Sequence, residues 1–329
     1  PAYPNIPASV PVGASIPKPT IFAFDPDYEN PQVHQASIGV ERGITSDISV
    51  GFTYQHVQGN DLSRSIDSNV GPSTTVTTPI STAGTVAYPR YTDRSLANFA
   101  RVILFQSSAD SRYNGWTVDL NKRFSHNWQA RLAYTYSKVE DNKPDATAVV
   151  PGGSDDAKYI QDPLDIDGDW APGDNDVRHR VVLSGVWDLD GYTSNYRGWQ
   201  KWLLGGWSLS GIASYQSGQP YSPVVLSDLN NDGNSRNDRA PGFARNSFRL
   251  PSQISVDRRI AKTLPLPGSV RVQLIAEAFN VFDNSNVNSE RNTYYALTGG
   301  QLVPQTNPAT GFGSAATSSG PRIVQLAAR

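Results

Sequence analysis

The chain has 329 residues, of which 38% are hydrophobic, and a mean hydropathy of −0.44. That is enough material for a large core or two domains, but no window approaches the roughly 18 continuous apolar residues of a spanning helix. Net charge is −2, with 28 Lys+Arg dispersed along the chain against 30 Asp+Glu, which argues against nucleic acid as a partner. Cysteine is absent, excluding a disulfide framework and thiolate chemistry.

The chain opens PAYPNIPASVPVG, without methionine and without a charged-then-apolar leader, so it reads as processed or partial. Residues 1–33 are Pro-rich and aperiodic and are expected to form an extended loop or linker. From there a period-2 pattern recurs. Ile48, Val50, Phe52 and Tyr54 point one way and Ser49, Gly51, Thr53 and Gln55 the other. Trp128, Ala130, Leu132, Tyr134 and Tyr136 likewise oppose Gln129, Arg131, Ala133, Thr135 and Ser137. Trp207, Leu209, Ala213 and Tyr215 oppose Ser208, Ser210, Ser214 and Gln216, and Val270 to Ala278 alternate with Arg271, Gln273 and Glu277. Weaker versions occupy 34–42, 112–124, 177–188, 253–264 and 322–329, giving nine expected spanning strands over residues 34–329.

The connectors alternate in length. Tight turns are expected at Arg42-Gly43, Ser125–Asn127 and Pro265–Gly268, a medium turn near 189–204, and long loops at 59–111, 140–176, 218–252 and 282–321. Arg101–Gln106 (RVILFQ) is a further candidate strand; counting it as spanning breaks the up-down order, so it is placed inside the first long loop. Mid-strand charges at Arg131, Arg271 and Glu277 are tolerated on a face that lines water and costly on one that meets lipid. Periodicity alone fits a soluble β-sandwich equally well. Two features favour an antiparallel up-and-down transmembrane β-barrel, an all-β fold: the long–short rhythm, and Tyr (15) and Trp (7) together outnumbering Phe (11). Trp187, Trp199, Trp202 and Trp207 gather about one turn; in a barrel they make an interfacial girdle, and without that context they are ordinary core or hairpin aromatics.

Several stretches resemble the barrel of TonB-dependent outer-membrane transporters, and within them the Oar-like group. These are SRYNGWTVDLNKRFSHNWQARLAYTYSKVEDN (111–142), DNDVRHRVVLSGVWDL (174–189), LLGGWSLSGIASYQSGQPYS (203–222), NDGNSRNDRAPG (231–242), VQLIAEAFNVFDNSN (272–286) and GPRIVQLAAR (320–329). The resemblance implies a 22-stranded barrel in a Gram-negative outer membrane, filled by an N-terminal plug and energised through the TonB complex. It would bind an extracellular ligand and import it. This chain matches the family's last nine strands, with no plug, no TonB-contacting segment and no terminal aromatic, so it is expected to be a plug-less C-terminal portion of a larger barrel. Nine strands of such a cylinder leave two bare edges, which cannot sit in lipid and invite self-association. The alternative function is therefore a structural or adhesive surface protein that joins copies by strand addition. A third option is a secreted carbohydrate-binding sandwich.

The strongest local chemistry is Asp228, Asn230, Asp232, Gly233 and Asn234, followed by Asp238. Oxygen ligands at positions 1, 3 and 5 with Gly at 6 suit Ca²⁺. However, Arg239 stands where the closing Glu belongs, and a solvated Asx-rich turn explains the same residues. A second acidic run, Asp162, Asp165, Asp167, Asp169, Asp174 and Asp176, is a divalent-cation or cationic-ligand surface, or a hydrated outer loop. Arg178-His179-Arg180 beside Asp176 could form an acid–base cluster; the simpler reading is lumen-facing arginines with an interfacial histidine. No nucleophile elbow, HExxH, P-loop or dinucleotide fingerprint occurs, and no enzymatic activity is expected.

Overall fold

In a computed structural model of the chain, residues 18–143, 156, 158–268 and 270–329 are described. Nine antiparallel strands follow one another in a single sheet: β1 Gln32–Gly43, β2 Ile48–Asp67, β3 Val102–Ser125, β4 Trp128–Asp141, β5 His179–Asp188, β6 Trp207–Gln216, β7 Gln253–Pro265, β8 Arg271–Phe279 and β9 Ile323–Ala328. Each pairs with its predecessor and successor in chain order, which is an up-and-down meander. Short strands Ile21–Phe24 and Ala171–Pro172 attach beside this path. The nine agree with the nine read from alternation, because a strand with unlike faces declares itself at every second residue.

Register makes the two faces explicit. One row runs Phe52, Val118, Tyr134, Val181, Tyr215 and Ile254 across six neighbouring strands. An inward row three positions along runs Asn121, Arg131, Ser184, Ile212 and Asp257. Trp128, Leu132 and Tyr136 are 40%, 38% and 40% exposed. The other sheets of the described residues have only two or three strands each, so no second sheet of comparable size packs on the apolar face as a sandwich requires. The apolar face is a belt open to its surroundings, and the buried apolar residues sit instead among the loops and at the long-loop ends of β2 and β3, with Ala261 of β7 apart from them.

The tight turns follow local chemistry. His126 and Asn127 both have positive φ, 49° and 68°, and close a two-residue hairpin between paired Ser125 and Trp128. That is the backbone whose twist suits adjoining strands, and Asn tolerates it. Gly268 takes φ 83° in the β7–β8 turn, where Leu266 N–H donates to Val270 O at 3.0 Å.

Two strands are longer than alternation shows. β2 has 20 residues and β3 has 24, against the 9–11 that span a bilayer. RVILFQ is therefore not inside the loop: Val102–Gln106 opens β3, pairing with Arg64–Asp67 of β2 on one side and in parallel with Ile21–Phe24 on the other. Ile103 is fully buried there. The connector expected over 59–111 narrows to 68–101, and the segment 1–33 contains a strand. Both departures come from pairing between segments far apart in sequence, which periodicity cannot register. β1 and β9 form the margins of the sheet, each with one strand partner and exposed side chains along its whole length.

Candidate functional site

The long-loop ends of the strands carry a cap built from those loops. Tyr88, Val225, Leu229, Ala240, Tyr295 and Leu302 form its core, drawn from three different connectors. Beside it Tyr221, Phe243, Phe248, Tyr294 and Phe312 pack with ring centroids 4.7–5.9 Å apart, within the range of favourable aromatic geometry.

The acidic run of residues 162–176 fastens this cap. Asp176, fully buried, accepts Val139 N–H at 2.8 Å and Arg178 Nε at 2.9 Å and pairs with Arg249. Asp169 meets Arg239 at 2.5 Å, and its carbonyl accepts Arg245 Nε at 3.0 Å. Arg245 also pairs with Asp141 and lies 3.6 Å from Asp174, which accepts Asn246 Nδ2 at 2.7 Å. Asp162 accepts the Tyr91 hydroxyl at 2.5 Å, and Asp165 accepts Gly168 N–H at 3.1 Å. Burial, reinforced by that Asp162 contact, pushes the Tyr91 phenol up. Arg245 and Arg249 were not singled out from sequence, and Arg239 entered only as a departure from the Ca²⁺ pattern; the available signal was that so many carboxylates need cations, and the next long loop supplies four arginines. These groups surround an outer cleft of about 570 Å³ lined by Tyr159, Tyr221, Arg236, Asn237, Arg239 and Arg245, among others.

Asp228, Asn230, Asp232, Asn234 and Asp238 do come together in one loop, as a ladder of Asx turns. Asp228 accepts Gly233 N–H (3.0 Å), Asn230 accepts Asp232 N–H (3.0 Å), Asp232 accepts Asn234 N–H (2.7 Å), and Asp238 accepts Leu229 N–H (2.7 Å). Asn234 in turn accepts Arg236 N–H at 3.0 Å. Burial pushes the Asp232 carboxyl up to about 6 and that of Asp238 up to about 8. Among the described residues no three His, Cys, Asp or Glu side chains converge as a metal cluster. Asp228 Oδ1 and Asn237 Oδ1 are buried acceptors without a hydrogen-bond partner.

The inward face is charged and polar. Asn121, Arg123, Arg131, Asp257, Arg259 and Glu277 border a concavity of about 580 Å³, with Arg259 and Glu277 at 3.7 Å. The Arg178-His179-Arg180 stretch divides among different surroundings. Arg178 joins Asp176, while His179 Nδ1 lies 2.9 Å from the Tyr134 hydroxyl on the outward face. Arg180 shares the inner row with Thr135 and Gln216. The Ser217 hydroxyl accepts the His179 backbone N–H at 3.1 Å, so this stretch serves three separate contacts rather than one cluster.

A family profile described as outer membrane beta barrel domain matches residues 1–244. The chain belongs to that family. Its exposed apolar belt around a charged inner wall is the corresponding physical signature, and the protein resides in the Gram-negative outer membrane. Among solved structures, the outer membrane transporter YddB of Escherichia coli is similar, with 11% identity and a TM-score of 0.52, over 96% of this chain and 34% of that one. FpvA of P. aeruginosa, solved with iron and heterologous pyoverdines, gives 12% identity and a TM-score of 0.44, over 92% of this chain and 27% of that one. This chain therefore spans about a third of YddB's length. No curated protein sequence matches significantly.

Proposed function

We propose that this chain is part of the barrel wall of a TonB-dependent, Oar-like receptor that captures a ligand in the outer cleft and passes it along the charged inner wall. The observation that carries this reading is the open nine-strand sheet with unlike faces and two single-partner margins, β1 and β9. Bare strand edges are unsustainable in hydrocarbon, so further strands of the parent protein complete the cylinder. The cleft holds cations and aromatics beside carboxylates, which suits a polar ligand. The test compares cells expressing the parent protein with a deletion strain, measuring depletion of compounds from the medium by mass spectrometry, with and without a protonophore. Gradient-dependent depletion of a compound is expected. Filaments or lattices in electron micrographs of the extracted protein, with no differential depletion, would instead establish the structural or adhesive function.

We further propose that the loop of Asp228, Asn230, Asp232, Asn234 and Asp238 takes Ca²⁺. Two orphaned acceptor oxygens, Asp228 Oδ1 and Asn237 Oδ1, support a hard cation there. The buried Asn237 amide also donates to Asp232 at 2.9 Å, which ties it to the loop.

A further inference from the structure

Arg258 stands where a membrane barrel ordinarily has no charge. It lies between Val256 and Ile260 on the outward face of β7, exposed, level with Gly211 of β6 and Ala278 of β8. Its neighbour Arg259 meets Glu277 on the inner face, and among the described residues no carboxylate forms an ion pair with Arg258. A cation on the lipid face is destabilising in proportion to its depth, so it needs either an escape to the interface or an anion.

The surroundings provide a path to the interface and room for an anion from the lipid. A side chain at Gly211 would come within 3.8 Å of Arg258 Cγ, so the arginine stem lies across that glycine. The small row continues through Gly185 and Ala130. It forms the floor of a groove of about 690 Å³ walled by Trp128, Leu183, Trp187, Tyr192, Leu209 and Ile260. Trp128, Trp187, Leu209 and Ile260 share one cross-strand row. Arg258 is two residues, about 7 Å of strand, from that row, within reach of a snorkelling guanidinium.

At its periplasmic end the groove meets the connector between β5 and β6. Tyr192 packs edge-on against Trp187 at 6.3 Å. A short helix, α1 Trp199–Leu204, is pinned to the outward side of the sheet. Trp207 Nε1 and Lys262 Nζ each donate to Leu203 O at 3.0 Å, and Lys262 also reaches Gly205 O. Trp199 is 72% exposed, and Trp202, Leu203 and Leu204 are exposed with it. These side chains continue the lipid-facing belt into the zone that indoles favour.

We propose that this groove seats one anionic phospholipid of the periplasmic leaflet. The lipid phosphate meets the Arg258 guanidinium near the Trp128–Trp187 row, and an acyl chain lies along the Ala130–Gly185–Gly211 floor. Charge complementarity and continuity with the lipid belt select this occupant over a second protein copy. The proposal rests on the barrel and is independent of the uptake reading.

The test is native mass spectrometry of the parent protein extracted in mild detergent, titrated separately with phosphatidylglycerol, phosphatidylethanolamine and inorganic phosphate. Folding of each variant is verified by heat-modifiable gel mobility. The wild type is expected to retain one phosphatidylglycerol about tenfold more tightly than phosphatidylethanolamine, whose phosphate is the same but whose ammonium offsets its charge beside the guanidinium. Arg258→Gln should abolish that preference, Arg258→Lys should keep most of it, and Gly211→Leu should block the floor. Undiminished preference in Arg258→Gln overturns the proposal. So does binding of inorganic phosphate without lipid preference, or an Arg258-dependent dimer in place of bound lipid.

Discussion

Placing an arginine at each of two adjacent positions of β4 separates the two faces of the wall. Leu132 points outward in the row with Leu120 and Leu183, mid-strand, while Ala133 points inward, directly opposite Asp119. Leu132→Arg puts a guanidinium in hydrocarbon, at about 2–4 kcal/mol. It also withdraws a leucine from that phase, about 1.5 kcal/mol more. The sum, about 3.5–5.5 kcal/mol, shifts the folded-to-unfolded ratio by roughly three to four orders of magnitude. Ala133→Arg enters the wet face beside a carboxylate and is expected to change stability by less than about 1 kcal/mol. Guanidinium unfolding of the parent protein in phospholipid vesicles, followed by tryptophan fluorescence, measures both. Equal penalties, or a larger one for Ala133→Arg, would refute the assignment of faces.

Three other regions give shorter tests. Asp176→Asn leaves Arg178 and Arg249 without their buried counter-charge, a loss of about 3–5 kcal/mol confined to the cap. Limited proteolysis should then cut residues 156–176 and 218–252 while the heat-modifiable barrel band persists. Asp232 at about 6 and Asp238 at about 8 lie above the value of an exposed carboxylate because of burial. Protonation therefore favours the folded loop, so this stabilisation is complete below about pH 4 and is lost as pH rises through 6 and 8. Hydrogen exchange at 228–239 should accelerate from pH 5 to 9 after correction for intrinsic rates, and millimolar Ca²⁺ at pH 8 should restore protection; a flat profile or indifference to Ca²⁺ counts against the respective claim. Asn127→Val forces a β-branched side chain into φ 68° and should destabilise by about 1–2 kcal/mol, whereas Asn127→Gly should be nearly neutral in the same unfolding assay.

Alternation exposed the nine strands because each spanning residue sees either lipid or water. The outer half of β3 was not legible: Val102–Phe105 is an apolar run whose partners, Ser65–Asp67 and Ile21–Phe24, are fixed by tertiary pairing. The acidic run was visible, but its role was not, since Asp169, Asp174 and Asp176 find Arg239, Arg245 and Arg249 about 70 residues away. The Asx ladder was readable because its bonds run from one residue to the second beyond it. The four tryptophans near the β5–β6 connector, ambiguous in sequence, follow the girdle: Trp187, Trp199 and Trp202 are exposed rather than packed in a core. Arg258 breaks the alternation, and its cross-strand neighbour Gly211 is fixed by pairing between strands that periodicity does not register.

The absence of cysteine allows single spin labels at each position of Trp128–Ser137 in the membrane-embedded protein. Collision rates with oxygen, which concentrates in lipid, should peak at 128, 130, 132, 134 and 136. Rates with a water-soluble nickel chelate should peak at 129, 131, 133, 135 and 137. In-phase profiles, or oxygen minima at Trp128, Leu132 and Tyr136, would contradict a wall with hydrocarbon on one side and water on the other.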